Sequence, residues 1–204
     1  MKTLLISGFD GRMGRETARL AAEYGFAAVP FAANAAGDVI IDFSHPDCLR
    51  ALLASPLPLV IGTTGFSAEQ QRAIEAAADA RPIFQAANFS PGVFALNRLS
   101  QTAKALLPGW DTALIERHHA VKRDLPSGTA LRLAEALQTD HVLSVRAGTV
   151  RGVHEAGFYG PDESLLLIHS AESRAVFARG AINAAKWLLK RQNGLYHMED
   201  LFNE

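Results

Sequence analysis

Cysteine is nearly absent: Cys48 is the only one in 204 residues. A lone thiol excludes an intrachain disulfide framework and any cysteine-pair metal site, and it fits a reducing compartment. Neither sign of charge is in excess, since 20 Lys and Arg against 21 Asp and Glu leave a formal net charge of −1 with histidine neutral. Without a basic surplus nothing neutralises a phosphate backbone, so no nucleic-acid partner is expected. No apolar run approaches the ~20 residues of a membrane span, so no membrane partner is expected either. The opening MKTLLISGFDG has Lys2 as its only cation and breaks into glycine after a short apolar run. That is not a signal-peptide pattern, and a cytoplasmic location is expected. Repeats, low-complexity tracts and Pro/Ser-rich linkers are also missing. What is present, 49% hydrophobic and 20% charged residues, describes a folded globular chain. At roughly 100–200 residues per domain, the length allows one large domain or two small ones.

The first half alternates strand-like and helical patterns. Thr3–Ser7, Phe26–Phe31, Asp38–Phe43, Leu57–Ile61 and Pro82–Ala86 predict five strands. Arg12 to Tyr24, with Met13, Thr17, Leu20 and Ala21 on one face, Asp47–Ala54 and Ser67–Ala80 predict helices, the last capped by Ser67. Such alternation predicts right-handed βαβ units and a parallel sheet. Beyond Asn88 the texture changes. Pro91–Leu107, Ser127–Gln138 and Arg174–Lys190 read as helices, Asp111–His119 as a strand, and Val142–Val153 and Ser164–Ala171 as β-rich. Strands in succession without crossover helices predict a mixed or antiparallel sheet, hence a second domain. Cys48 is expected to be a small buried apolar residue, and Trp110 and Trp187 to serve packing.

The first strand runs into Gly8-Phe9-Asp10-Gly11-Arg12-Met13-Gly14 and then a helix. Glycines at 8, 11 and 14 permit a tight turn, close backbone approach and helix packing, and the helix start can take a pyrophosphate. The loops at the ends of later strands, Asp42-Phe43-Ser44, Gly62-Thr63-Thr64-Gly65 and Ala87-Asn88-Phe89-Ser90, are rich in small hydrogen-bonding residues. Ligands of open α/β sheets lie at such ends. The second strand ends in Pro30-Phe31-Ala32-Ala33-Asn34, with neither an acid nor an arginine for the ribose, so NADH and NADPH are left equal.

The densest chemistry lies in Glu116–Ala130, ERHHAVKRDLPSGTA. A strand ends at His118 and His119, a loop carries Lys122 and Arg123, and Ser127-Gly128-Thr129 opens a helix. The helix start and Lys122 suit a carboxylate, and the histidines can donate protons near neutral pH. Period two in a strand puts Glu116 and His118 on one face, yet no third metal ligand is evident, and no metal is expected.

At this point the sequence resembles the dihydrodipicolinate reductase family. The resemblance rests on Glu116-x-His118-His119-x-x-Lys122-x-Asp124-x-Pro126-Ser127-Gly128-Thr129-Ala130, with support from the glycine turn, Asp42-Phe43-Ser44, Gly62-Thr63-Thr64-Gly65 and Ala87-Asn88-Phe89-Ser90. Val145-Arg146-Ala147-Gly148, Gly152-x-His154-Glu155 and His169-x-Ala171-x-Ser173-Arg174 also agree. It implies an α/β chain with a Rossmann-like parallel-sheet dinucleotide-binding domain, 1–90 and 175–204. A smaller α+β domain with a mixed sheet, 91–174, would bind substrate and build a homotetramer. The implied reaction is NADPH- or NADH-dependent reduction of dihydrodipicolinate in lysine and diaminopimelate biosynthesis. His118 and Lys122 would donate the proton, His119, Ser127, Gly128 and Thr129 would bind the dicarboxylate substrate, and residues 8–14, 62–64 and 87–90 would bind cofactor. Against typical members the chain is several dozen residues short, chiefly between the second strand and Asp38 and again before Val145. A non-catalytic NAD(P)-binding sensor and a dehydrogenase of another cyclic or imino-acid substrate are the alternatives.

Overall fold

Apolar runs of four to six residues, too short for helices and flanked by glycine or proline, build the first sheet. The computed structural model of the protein describes residues 1–203. It divides into two compact units, 1–89 with 177–204, and 90–176.

In the first unit, β1 (Lys2–Ser7), β2 (Phe26–Pro30), β3 (Val39–Asp42), β4 (Leu59–Ile61) and β5 (Pro82–Gln85) lie in the order 5-4-3-1-2, all parallel. The central strands are buried on both faces, as Leu4, Leu5, Ile40, Ile41, Val60 and Ile61 show; this is why they read as continuous apolar runs. Helices α1 (Arg12–Ala21), α2 (Leu49–Ala54) and α3 (Ala68–Ala78) connect them. Ser67 caps α3 in a reciprocal capping box with Gln70. In α1 the buried positions are Gly14, Thr17, Leu20 and Ala21, so Gly14 takes the inward place expected of Met13, which is half-buried. Cys48 is likewise half-buried at the edge of the core, correcting its expected burial.

The crossover from β2 to β3 contains no helix. Residues 31–38 pass over β1, with Phe31 N–H donating to the Ile6 carbonyl and Asp38 N–H to that of Thr3. Asp38 Oδ2 in return accepts from Thr3 N–H at 2.6 Å. Phe31 and Ala35 cover the core where a helix would normally pack, and a Cβ on Gly37 would strike the Leu5 side chain at 2.7 Å. Small residues let the strap lie flat on the sheet. The C-terminal segment completes this unit through α6 (Ala175–Leu188), with Trp187 packed edge-on against Phe84 and Tyr196. A sixth parallel strand beside β5 (Gly194–Tyr196) and a short helix (Met198–Phe202) were not expected; the strand is only three residues long.

The second unit holds α4 (Pro91–Leu106), β6 (Asp111–His118), α5 (Gly128–Leu137), β7 (Val142–Arg146), β8 (Val153–Tyr159) and β9 (Ser164–Ser170). Its sheet is mixed, in the order 7-6-8-9, with β6 and β7 parallel and the other pairs antiparallel. Strand β8 corrects the expected β-rich block Val142–Val153: regular structure stops at Arg146 and resumes at Val153. One face of this sheet packs on α4 and α5 through Leu114, Ala156, Phe158, Leu96, Leu133 and Leu137. We number the C-terminal strand β10 and the C-terminal helix α7.

Candidate active site

Alternation along β6 puts Thr112, Leu114, Glu116 and His118 on its buried face. Cross-strand pairing then sets Ser144 of β7, Glu116, His154 of β8 and His169 of β9 in one row. Glu116 is fully buried. Its Oε1 accepts from the Ser127 N–H at 3.0 Å, Ser144 Oγ at 2.7 Å and Arg146 at 2.7 Å. Its Oε2 lies 3.0 Å from His118 Nδ1, in a direction that departs from an ideal hydrogen bond, and 4.0 Å from His154 Nε2.

Burial works against the Glu116 charge, but hydrogen bonds from Ser127, Ser144 and Arg146 outweigh it and bring the carboxyl down to about 2. Burial lowers His118 below the ordinary imidazole value; Glu116 opposes this, while Lys122 and Arg146 add to it. His154 is brought down to about 4, first by burial and then by the neighbouring His118. The two rings meet edge to face, centroids 5.1 Å apart.

Beyond β6 the chain turns at His119, whose carbonyl accepts the Lys122 N–H, and Lys122 Nζ pairs with Asp124 at 2.7 Å. Ser127 caps α5 by accepting from Ala130 N–H, as its position before the helix demanded. Gly128 is exposed, with open space where a Cβ would stand, and Thr129 is half-buried beside it. His118, Lys122 and the Ser127–Thr129 turn therefore belong to one continuous piece of the second unit. The sequence reading missed His154, the residue that joins Glu116 and His118 as a third ligand-type side chain, with donor atoms within 4.8 Å of one another. The carboxylate charge is also met by Arg146 on Oε1 at 2.7 Å, and Lys122 adds a positive charge near His118. Ser144, Arg146 and Gly152 were also missed as parts of it. Arg146 and Gly152 stood in the family likeness and Ser144 in none of it, because strand register is not written in local pattern.

In the first unit Gly8 adopts φ +76°, and a Cβ there would lie 2.4 Å from the Phe43 carbonyl oxygen. A Cβ on Gly14 would lie 2.1 Å from the Gly8 carbonyl oxygen. Gly11 opens α1 without a side-chain cap, and Asp10, Gly11 and Arg12 are exposed while Phe9 and Met13 are half-buried. This uncapped helix start, cradled by backbone that excludes any Cβ, fits the pyrophosphate of a nicotinamide dinucleotide. Gly62, Thr63 and Thr64 follow β4; Thr63 Oγ1 accepts from Ser44 N–H at 2.9 Å. Ala87 is exposed and Asn88 half-buried after β5. Phe89 and Ser90 are buried: the Phe89 ring packs on Phe43 and Phe84, and Ser90 Oγ caps α4 and meets His169 Nε2 at 3.2 Å. Their side chains serve packing and capping.

A glycine-cradled parallel sheet, with an imidazole and lysine beside a helix start in the second unit, defines an NAD(P)H-dependent oxidoreductase. Comparison with known proteins narrows the class. Family models described as "Dihydrodipicolinate reductase, N-terminus" and "Dihydrodipicolinate reductase, C-terminus" match residues 25–89 and 92–202. The chain belongs to the dihydrodipicolinate reductase family. It is 41% identical over 230 aligned positions to the 4-hydroxy-tetrahydrodipicolinate reductase of Stenotrophomonas maltophilia, covering 97% of this chain and 96% of that one. It is 35% identical to the enzyme of the same name from Caldanaerobacter subterraneus, covering 98% of each. The first alignment is longer than the 204 residues of this chain, so that relative carries segments absent here. Dipicolinate-bound dihydrodipicolinate reductase from Paenisporosarcina shares the fold, with TM-score 0.81, 21% identity and 99% of each chain covered.

Proposed function

We propose that the chain reduces dihydrodipicolinate, formed from 4-hydroxy-tetrahydrodipicolinate, to tetrahydrodipicolinate in lysine and diaminopimelate biosynthesis. The near full-length match to reductases named for this substrate carries the reading. The first unit is the dinucleotide-binding domain, with residues 8–14, 62–64 and the backbone of 87–90 toward NADPH or NADH. The cofactor, when bound, supplies the hydride that reaches C4 of the unsaturated ring.

The second unit binds the substrate. The first-turn N–H groups of Gly128 and Thr129 and the side chain of His119 take carboxylate oxygens, aided by the positive end of the α5 dipole. Ser127 holds that turn in place through its cap. Hydride addition leaves electron density on the conjugated C=N system, and His118 with Lys122 stabilises and protonates it, worth ~10²–10⁴-fold in rate. The crossover at residues 31–38 leaves no acid or arginine at the end of β2, so NADPH or NADH is proposed, with neither preferred.

The sheet of the second unit supports self-association. Opposite its helix-packed face, one row sets Leu143, Ile115, Glu155 and Ile168 side by side, and Leu166 lies two residues along. Leu143 and Ile168 are each 59% exposed, and with Leu166 they give this face several exposed apolar side chains. This face is proposed to meet other copies of the chain in a homotetramer. Among the described residues no helix is long and apolar enough to cross a membrane, and a cytoplasmic location is proposed with the pathway.

The test follows nicotinamide absorbance with freshly generated dihydrodipicolinate and either cofactor. Substrate-dependent oxidation is expected with at least one of them, and none with either would overturn the proposal. Cofactor binding without turnover would establish a sensor, and turnover only with another imino acid would establish a different dehydrogenase.

A further inference from the structure

We propose that Glu116 is the positioning residue of His118, fixing the ring with Nδ1 toward the carboxylate and Nε2 as the proton-delivering atom. The inference rests on the role given to His118 above. Three donors from two elements, the Ser127 N–H at the start of α5 and Ser144 and Arg146 of β7, converge on Oε1. Held by these three donors on Oε1, the carboxylate keeps its other oxygen 3.0 Å from His118 Nδ1, off the direction of an ideal hydrogen bond. An oxygen there selects the ring nitrogen that keeps its proton, because the partner of one imidazole nitrogen decides the state of the other. The second imidazole on Oε2, His154, stands farther away at 4.0 Å and stays neutral near pH 7, so the negative charge serves His118. His154 also meets the His118 ring edge to face and limits its rotation. On the far side Gly152 leaves room at Nε2, where a Cβ would come within 3.1 Å.

The charged and titratable groups facing His118 are Glu116 on its own strand, Lys122 and Asp124 on the following loop, Arg146 of β7 and His154 of β8. Glu116 favours the imidazolium, and Arg146 disfavours it. Two variants must therefore move the same ring in opposite directions. In the full chain labelled with ¹⁵N-histidine, with His118→Gln used for assignment, the neutral wild-type ring should show its proton on Nδ1. Glu116→Gln should lower the His118 titration midpoint by about one unit or more, and Arg146→Met should raise it. The alkaline limb of kcat/KM should follow in each case. In Glu116→Gln kcat should fall at least about 10-fold, with KM within about threefold. A residue serving stability alone would lower activity without opposed shifts.

The proposal is overturned if the midpoint moves in neither variant, if both move it the same way, or if the neutral ring carries its proton on Nε2. Should Glu116→Gln not fold, the direction in Arg146→Met and the wild-type tautomer decide. The ring titration needs no substrate. Absence of dihydrodipicolinate-dependent turnover in the wild type would thus remove the proposed function and leave the judgement on Glu116 intact.

Discussion

Gly152 stands against the outer nitrogen of His118: a Cβ at that position would lie 3.1 Å from Nε2. Both residues are buried, one just before β8 and the other at the end of β6, so neither backbone can retreat cheaply. Gly152→Val should lower kcat/KM by at least about 10-fold, with Gly152→Ala between it and the wild type. Steady-state kinetics check this, alongside circular dichroism to show an intact fold. Wild-type kcat/KM in Gly152→Val would mean that Nε2 is not the working atom.

His118→Gln and Lys122→Ala each remove a proposed proton donor while keeping β6 and the loop. Each should lose about 10²–10⁴-fold of kcat. The glycine cradle lies in the other unit, so NADPH binding measured by fluorescence should stay within about threefold of wild type. Near-normal turnover in both variants would end the assignment of these roles.

The glycine turn tolerates no side chain at Gly14, where a Cβ would meet two carbonyl oxygens, of Gly8 at 2.1 Å and Phe9 at 2.6 Å. Because the obstacles are backbone, the turn itself must shift. Gly14→Ala should weaken NADPH and NADH binding by about 10-fold or more, and should lower the thermal midpoint by several degrees, about 1–3 kcal/mol of strain. Calorimetric titration reads the first effect and differential scanning the second.

Acid stability should fall in two stages. His154 has its folded value pushed down to about 4 from the ordinary 6.5. The folded state thus binds its proton less readily than the unfolded chain, and stability drops as pH falls from 6.5 to about 4. Glu116, down to about 2 from 4.5, contributes stability that is full above 4.5 and is lost toward 2. Thermal midpoints measured across this range should show both stages in the wild type. His154→Phe should shrink the upper stage to the share left by His118 and His169, which burial also lowers, and leave the lower one.

Leu143 and Ile168 flank Ile115 and Glu155 on the open face of the mixed sheet. Placing charge there should oppose burial against another copy at a cost of several kcal/mol. The wild type should run as a tetramer in light scattering, and Leu143→Asp with Ile168→Asp should run as a smaller species. A tetramer in the double variant would place the interface elsewhere.

Much of this molecule is legible in its sequence. Strands buried on both faces read as apolar runs, and the glycines at 8, 11 and 14 marked the turn that a Cβ would fill. Period two placed Glu116 and His118 on one face of a strand. What escaped depends on partners remote in sequence. His154 reaches Glu116 only through the register of β6 with β8. Strand β8 itself carries Ala156 and Gly157 at its centre, which blunts its apolar pattern. The strap over Leu5 stands in place of a crossover helix with eight residues, five of them alanine or glycine, a stretch too featureless to read. The buried packing of Phe89 on Phe43 and Phe84, and the cap that Ser90 places on α4, were likewise not legible in the composition of their loop.

The central claim is hydride delivery to C4 of a dihydrodipicolinate ring. The most direct measurement supplies cofactor deuterated at the transferable position of the nicotinamide and locates the label in the product by NMR. One deuterium at C4 of tetrahydrodipicolinate is the expected result. Unlabelled tetrahydrodipicolinate, or deuterium at any other carbon, would contradict it.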